Sequence, residues 1–385
     1  MKSILNSSRI NGVENFIERG INMEIKPIRV NAKELTNFCK RAFKKYGFSD
    51  KDADTITDVL LAADLYGVDT HGSQRLEMYR SQIQKGFIHV ENQPKIAFET
   101  PISAVVDGNR AMGQVVGKYS MEIAIEKAKK TGIGLVTVRN SNHYGIASYY
   151  SKMACNEGLI GVSMTNSFPV VVPTFGKHPM MGTNPIAVSI PADPVDFNFD
   201  VATSVVAYGK VEVRNKKGLE LPVGWGVNKE GKDAINPMDI ISGISDRNCG
   251  LHPLGGASEL SGSHKGYGFS LIVEYLTACL SNGFTSNHSE DGGVAGICHY
   301  FMAIDPNLFG NPEQIKEHWS HYLQEVRDSE KAYQQDRIYI HGEKEAEKHQ
   351  DRIDNGVPIL PKTLEEMKNL AKQLDIEFGI TLPEK

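Results

Sequence analysis

Residues 132–167 read GIGLVTVRNSNHYGIASYYSKMACNEGLIGVSMTNS. An apolar run at 132–138 leads into a polar loop and a helical stretch, and a second apolar run follows at about 158–167. Short apolar runs that alternate with helices predict buried strands of an α/β sheet. Ligand-binding side chains collect in loops at the ends of such strands, so the loop that contains His143 is a candidate site.

The sequence on both sides extends this pattern. Helices are expected near the two ends of the chain, at 31–46, 49–66, 70–84, over much of 311–350 and from a cap at Thr363 and Glu366. The first of them has Asn31 and Glu34 at capping-box spacing. Between the ends, the pattern predicts strands at 103–108, 184–191 and 196–202, helices at 113–130 and from about Thr203 and His264, and a hairpin near 224–233.

Helices at both ends around a central sheet predict a discontinuous domain. We expect a helical lobe built from 24–98 with 311–385, and an α/β cofactor-binding domain at 99–310. Residues 1–23 lack the uninterrupted apolar centre of a secretory signal and precede the first clear pattern. They are interpreted as an N-terminal extension or a misplaced start.

Composition argues against several classes of function. The chain has 385 residues, a formal net charge of −5 and a pI near 6.2, so it offers no basic surface for nucleic acid or an anionic membrane. No apolar run approaches the roughly 20 residues of a membrane helix. The five cysteines are widely spaced without a C-x-x-C pair, which favours reduced thiols in the cytoplasm. The histidines form no H-E-x-x-H or H-x-H motif, so no metal site is predicted.

The segment VDTHGSQRLEMYR at 68–80 places His71, Arg75 and Tyr79 at every fourth position. On one helix this spacing would put the three side chains on one face. An imidazole can move a proton near neutral pH, and a guanidinium can bind a carboxylate through two parallel hydrogen bonds. The set suits a small acid substrate, and the alternative is a solvated helix face.

Three further features carry polar groups. His143 can reach a bound ligand, or it can simply cap the helix that follows. Lys265 and Gly266 lie in a glycine-rich helix start that can attract phosphate, although a close helix crossing also needs small residues. Asp200, at a strand end, can bind ribose hydroxyls, hold a histidine in one tautomer, or cap a helix. The chain has neither G-x-G-x-x-G nor a Walker A sequence, so a standard Rossmann half is not expected.

From about residue 27 to 380 the chain resembles the malate/L-lactate dehydrogenase family, which includes ureidoglycolate dehydrogenase, diketogulonate reductase and sulfolactate dehydrogenase and is unrelated to the Rossmann-type enzymes. The matching motifs are D-x-x-G-V-D-S-H-G-x-x-R-x-x-x-Y at 64–79, N-S-x-H-[FY]-G at 140–145, G-T-N-P at 182–185, D-x-A-T-S at 200–204 and K-G-x-G at 265–268. One position departs from the family pattern, because the residue before the first histidine is often Ser and here is Thr70. Threonine keeps the hydroxyl but adds a methyl group that can narrow the pocket.

The resemblance implies a fold and a set of roles. The fold is expected to be a non-Rossmann α/β/α mixed sheet, and family members form intertwined homodimers. His71 and His143 are the implied proton-transfer residues, and Arg75, Tyr79 and Thr183 would bind the substrate. The residues implied to bind the cofactor are Asn166, Ser167, Asp200, Ala202, Lys265, Gly266, Gly342 and Glu343.

The expected activity is the interconversion of a small 2-hydroxy acid and its 2-oxo acid with NAD, or with NADP, and malate is the first substrate expected. Lactate, sulfolactate, ureidoglycolate and a cyclic imine are alternatives within the same fold. Outside this class, the chain could be a non-catalytic nucleotide-binding module or a histidine-dependent metallohydrolase. The two histidines with Arg75 argue against the first, and the absence of metal-ligand spacing argues against the second.

Overall fold

A computed structural model describes residues 26–289 and 296–382, so the predicted extension at residues 1–23 lies outside the described residues. The strands are Ile28–Val30 (β1), Lys95–Glu99 (β2), Ser103–Asp107 (β3), Ile133–Ser141 (β4), Ile160–Thr165 (β5), Ile186–Ile190 (β6), Phe197–Val201 (β7), Gly226–Val227 (β8), Gly250–Leu251 (β9), Ile297–Ile304 (β10) and Val357–Ile359 (β11). The α-helices are Ala32–Lys45 (α1), Asp50–Tyr66 (α2), Leu76–Gln84 (α3), Gly113–Thr131 (α4), Ala147–Cys155 (α5), Tyr208–Lys216 (α6), Pro237–Gly243 (α7), Ser263–Glu274 (α8), Pro312–Asp328 (α9), Glu343–Asn355 (α10) and Pro361–Leu374 (α11).

The centre of the fold is a mixed sheet with the strand order β2-β3-β4-β10-β5-β6-β7. Strands β3 and β4 are parallel, whereas β10 is antiparallel to both β4 and β5. Strands β4 and β5 therefore run in the same direction, and their carboxyl ends meet at one edge of the sheet. The loops after Ser141 and Thr165 lie side by side at that edge. The mixed α/β fold predicted from the sequence is confirmed.

Helices α4 and α5 cover one face of the sheet. The cluster beneath them is apolar and includes Val136, Val138, Tyr150 and Phe301, each fully buried. The contact is close: a Cβ on Gly134 of β4 would lie 1.9 Å from the carbonyl oxygen of Ala124 in α4. The apolar alternation of the strands thus fixes the sheet against these two helices and holds the edge loops in place.

The two ends of the described chain share one apolar cluster. Strand β1 pairs with β11, and α1, α2 and α11 contribute buried residues such as Phe38, Leu60 and Leu370. Helix α9 packs elsewhere, with Trp319 5.6 Å from Phe197 of β7, measured between ring centroids. The division into a terminal lobe and a central domain stays a prediction. None of the described helices combines the length and the apolar character needed to cross a membrane.

The prediction of one helix over residues 70–84 is wrong. Residues Asp69–His71 and Ser73–Arg75 form separate 3₁₀ turns, and the α-helix starts only at Leu76. The backbone bends at Gly72, where a Cβ would lie 1.8 Å from Oδ1 of Asp64. The buried Asp64 carboxyl group accepts a hydrogen bond from the Ser73 backbone N–H, 2.9 Å away. This contact interrupts the helix.

Side-chain hydrogen bonds also shift other predicted boundaries. Thr203 starts no helix, because its hydroxyl donates to the carbonyl oxygens of Thr183 and Asn184, and α6 begins at Tyr208. Likewise, Thr363 lies inside α11, which begins at Pro361.

At other boundaries the prediction holds in part. Asn31 caps α1, but the Glu34 carboxylate binds the backbone and hydroxyl of Thr381 instead of closing a capping box. The segment 311–350 is helical in α9 and at the start of α10, with residues 329–342 irregular between them. In the predicted hairpin, β8 pairs with β9, and only a bridge between Val227 and Asp233 forms locally.

Candidate active site

A small cavity of about 80 Å³ lies at the sheet edge where β4 and β5 end. His71, from the first 3₁₀ turn, and His143, from the loop after β4, both line it, with their ring centroids 5.4 Å apart and the rings 25° from parallel. The remaining lining residues are Gln82, Asn142, Tyr144, Gly145, Thr165, Asn166, Ser167, Phe168, Thr183, Pro185 and Ile297. The fold thus brings together two imidazoles that are 72 positions apart in the chain.

Tyr79 contacts His143 through its hydroxyl group. The Tyr79 hydroxyl is fully buried, lies 2.7 Å from Nδ1 of His143, and accepts a hydrogen bond from Nε2 of Gln114 at 2.7 Å. The protein thus engages Nδ1 of His143, which leaves Nε2 as the ring nitrogen for a ligand. Tyr79 was predicted to contact the substrate, but it is not among the cavity-lining residues. Its hydroxyl contacts the imidazole of His143, and the predicted contact with the substrate stays a prediction.

Arg75 lies close to both histidines without lining the cavity. Its Nε donates to the carbonyl oxygen of Thr70 at 2.5 Å, and its Nη1 lies 3.9 Å from Sδ of Met78. The Thr70 hydroxyl in turn lies 3.0 Å from Nδ1 of His71. The guanidinium is therefore held beside the imidazoles by its Nε.

Burial and positive charge keep both imidazoles neutral at pH 7. Burial, and then the Arg75 cation, lower the pKa of His71 to about 4. Burial is also the main cause that holds the pKa of His143 well below its usual value; His71 and His299, when protonated, and the Arg75 cation add to the effect. A bound anion would offset this positive charge, so the site favours a negatively charged ligand.

Thr183, Asn166 and Ser167 lie on the β5 side of the cavity. The Ser167 hydroxyl accepts a hydrogen bond from the Thr183 backbone N–H at 3.1 Å, which joins two cavity loops. The Asn166 side chain donates to the carbonyl oxygen of Phe284 at 2.9 Å and accepts from the Cys298 backbone N–H at 2.8 Å. These residues shape the cavity wall.

The other predicted cofactor residues lie outside the cavity lining. Asp200 accepts a hydrogen bond from the Ser148 backbone N–H at 2.8 Å, so it caps α5, and burial raises its pKa. Ala202 follows β7 and is half-buried. Lys265 is exposed near the start of α8, and a Cβ on Gly266 would lie 2.3 Å from the carbonyl oxygen of Leu254. Asp200 therefore caps α5 and not a helix that starts at Thr203, and Gly266 packs closely against Leu254, while the predicted cofactor contacts of both residues stay predictions.

Gly342 and Glu343 lie at the start of α10. Gly342 has a φ of +103°, and a Cβ there would lie 2.7 Å from the carbonyl oxygen of Asp196. The Glu343 carboxylate binds Arg327 at 2.6 Å and Arg337 at 3.0 Å. Burial would raise the pKa of Glu343, but these hydrogen bonds outweigh it and hold the pKa below its usual value. The carboxylate is thus already paired within the protein.

Comparison with known proteins identifies the family. A family model described as malate/L-lactate dehydrogenase matches residues 30–368. The chain belongs to this family. The resemblance noted in the sequence is thereby confirmed, and membership makes the protein a 2-hydroxyacid dehydrogenase.

Individual family members are similar over nearly the whole chain. A malate dehydrogenase of Pyrococcus horikoshii is 44% identical over 354 residues, which cover 91% of this chain and 96% of the relative. An L-sulfolactate dehydrogenase of Methanocaldococcus jannaschii is 36% identical over 338 residues, covering 87% of this chain and 94% of the relative. The crystal structure of malate dehydrogenase from Entamoeba histolytica superposes with a TM-score of 0.89 at 38% identity, covering 91% of this chain and 99% of that one.

Several residues in or next to the cavity were not predicted from the sequence. Gln114, at the start of α4, holds Tyr79, and Gln82 and Asn142 line the cavity. His299 lies beneath the cavity, where its ring nitrogens are 2.8 Å from the Thr165 hydroxyl and 2.7 Å from the Ser141 hydroxyl. It joins the ends of β4 and β5 across β10. Asn142 occupies the variable position of the N-S-x-H-[FY]-G motif, so its one local signal is its place beside His143.

Within residues 26–289 and 296–382, no cluster of three or more His, Cys, Asp or Glu side chains could hold a metal ion.

Proposed function

We propose that this dehydrogenase interconverts malate and oxaloacetate, with NAD as the first cofactor to test and NADP as the second. The observation that carries the proposal is the pair of neutral imidazoles, His71 and His143, that share one cavity beside the Arg75 guanidinium. A 2-oxo acid requires a cation for its carboxylate and a proton donor for its oxo oxygen. The names of relatives at 44% and 38% identity favour malate among the family's substrates.

We propose that the cavity receives the nicotinamide end of such a cofactor, because its lining carries unpaired polar atoms. Two buried acceptor atoms of lining residues, Oδ1 of Asn142 and Oε1 of Gln82, have no hydrogen-bond partner within the described part of the chain. When bound, the nicotinamide would exchange a hydride with C2 of the substrate. Asn166 and Ser167 would contact this end of the cofactor, and Lys265 would bind a phosphate. The contributions of Asp200, Ala202, Gly342 and Glu343 remain predictions from the family resemblance.

His143 is suited to move the substrate proton in both directions. A bound carboxylate favours the imidazolium, which reverses part of the effect of burial. The imidazolium can give its Nε2 proton to the developing alkoxide and keep its Nδ1 proton, because the Tyr79 oxygen can accept as well as donate a hydrogen bond. In the reverse direction, the free Nε2 takes the proton of the substrate hydroxyl. Arg75 would attract the carboxylate through its positive charge from beside the cavity, and Thr183, which lines the cavity, would contact the substrate.

A steady-state panel tests the proposal. Purified protein is assayed at 340 nm with NADH and with NADPH against oxaloacetate, pyruvate, sulfopyruvate, the oxo form of ureidoglycolate and a cyclic imino acid. We expect the highest kcat/KM with oxaloacetate. If another acid gives a higher kcat/KM, that acid replaces oxaloacetate as the proposed substrate. If the folded protein turns over none of these acids, the proposed dehydrogenase function is overturned.

We also propose that the protein forms a homodimer and is located in the cytoplasm. Leu271, Ile272 and Tyr275 are 46%, 51% and 59% exposed along α8 and the turn that follows it. Apolar side chains exposed side by side on one helix are typical of a surface covered by another chain. Size-exclusion chromatography with light scattering separates a dimer from the 42.5 kDa monomer.

A further inference from the structure

Asn142 has a side chain whose orientation is fixed. It lies between the end of β4 and His143 and is 1% exposed. Its Nδ2 donates hydrogen bonds to the carbonyl oxygens of Arg110 and Ala111, at 3.3 and 2.9 Å. Both partners are carbonyl oxygens. If the amide were flipped, its Oδ1 would face these oxygens and neither hydrogen bond could form. Oδ1 must therefore point away from residues 110–111.

The Oδ1 atom of Asn142 is a buried acceptor that the described residues leave without a hydrogen bond. Leaving such a group unpaired costs about 1–3 kcal/mol, so protein structures seldom tolerate it without a purpose. Asn142 also lines the cavity with His71 and His143. The one polar atom that Asn142 has left is thus a buried, unpaired acceptor on a residue of the cavity wall. A ligand that satisfies it must bring a hydrogen-bond donor.

We propose that Oδ1 of Asn142 accepts a hydrogen bond from the carboxamide N–H of the bound nicotinamide and thereby orients the ring beside His143. This inference rests on the proposed function. Substrate carboxylates and the oxo oxygen are acceptors and cannot satisfy Oδ1, and the single substrate hydroxyl gives its proton to a histidine. The carboxamide carries N–H donors in both oxidation states of the ring. Since Asn142 and His143 are adjacent, one loop would position both the cofactor and the proton donor.

The test compares NADH with its reduced 3-acetylpyridine analogue, in which an acetyl group replaces the carboxamide and removes the N–H donors. Dissociation constants are measured by fluorescence titration for the wild-type protein and for Asn142→Ala. The dissociation constant of the analogue divided by that of NADH measures the preference for NADH. We expect this ratio to exceed one in the wild type and to fall by about 2- to 12-fold in the variant, as expected for the loss of one hydrogen bond. Asn142→Ser, whose hydroxyl can still donate to a backbone carbonyl, serves if the alanine variant is unstable.

Asn184 provides a matched control. It is fully buried, its Nδ2 donates to the Ser270 carbonyl oxygen and to Glu274, and its Oδ1 also lacks a partner within the described residues, but it does not line the cavity. Asn184→Ala should leave the NADH preference unchanged. An unchanged preference in Asn142→Ala would overturn the inference and assign Oδ1 to a bound water. Failure of the wild type to bind NADH or NADPH would instead overturn the proposed function.

Discussion

At the residue scale, the chemistry of the site depends on which ring nitrogen of His143 faces the cavity. Tyr79 occupies Nδ1, and Gln114 holds Tyr79 in turn, so Nε2 is the nitrogen left for a ligand. The partner of His71 is more loosely held, because its Nδ1 is 3.0 Å from the rotatable hydroxyl of the neighbouring Thr70. This difference favours His143 as the residue that transfers the proton.

His143→Ala is expected to lower kcat by about 10²–10⁴-fold, the range typical of a lost general acid or base. The affinity for NADH, measured by fluorescence titration, should change little, because the variant removes a proton donor. His71→Ala should lower kcat less. His321→Ala, which removes an exposed histidine of α9, is the control and should leave both quantities at wild-type values. A larger loss of kcat in His71→Ala than in His143→Ala would reverse the two roles.

At the element scale, the bend between the two 3₁₀ turns places His71 at the cavity. A continuous helix would have directed His71, Arg75 and Tyr79 to one face. The bend separates their roles, so that His71 lines the cavity while Tyr79 lies behind His143. The contact between Gly72 and Asp64 maintains this geometry.

Gly72→Ala is therefore expected to destabilise the protein by about 1–3 kcal/mol, since its Cβ would clash with the Asp64 carboxyl group 1.8 Å away. It should also lower kcat, because His71 directly precedes the bend. Denaturant unfolding and steady-state kinetics provide the two measurements. Gly268→Ala in α8 is the control for stability: its Cβ meets no atom within 4 Å, and an added Cβ in a helix stabilises by roughly 0.5–1 kcal/mol. Wild-type stability and activity in Gly72→Ala would show that the bend tolerates a side chain.

At the scale of the whole molecule, Asp64 joins distant parts of the chain. Its carboxyl group holds the bend, and Arg352 of α10 donates to its backbone carbonyl oxygen and to the Asp69 carboxylate. Burial is the main cause that raises the pKa of Asp64 to about 7, while hydrogen bonds from Ser73 lower it. The folded protein therefore binds this proton more tightly than the unfolded chain does.

The Asp64 contribution to stability should be present below about pH 4 and be lost as the pH rises towards about 7. We expect the free energy of unfolding of the wild type, relative to Asp64→Asn, to fall across this window by up to about 1.4 kcal/mol per pH unit. The lowered histidine pKa values have the opposite effect, with stability lost as the pH falls below about 6.5, but they are common to both proteins and cancel. Urea unfolding of both proteins between pH 4 and pH 8 measures the difference. Parallel curves would mean that Asp64 is ionised in the folded state throughout.

Local chemistry in the sequence was enough to predict most helices and strands and to indicate the family, but not the bend at Gly72 or the segment after Thr203. Ser49 and Gly67 delimit α2, and the apolar runs around residues 133–141 and 160–165 form β4 and β5, because caps and apolar periodicity act within a few residues. Motif spacing likewise identified the two histidines.

The tertiary structure alone decided how these parts meet. Strand β10, more than 130 residues beyond β5, lies between β4 and β5 and brings their loops to one edge. Long-range contacts also bend the chain at Gly72 and pair Tyr79 with His143, 64 positions away. Such pairings depend on the packing of the whole chain, and no local pattern of residues encodes a hydrogen-bond partner at that distance. For this reason the sequence could name candidate side chains for the reaction, whereas only the fold could show which of them share the cavity.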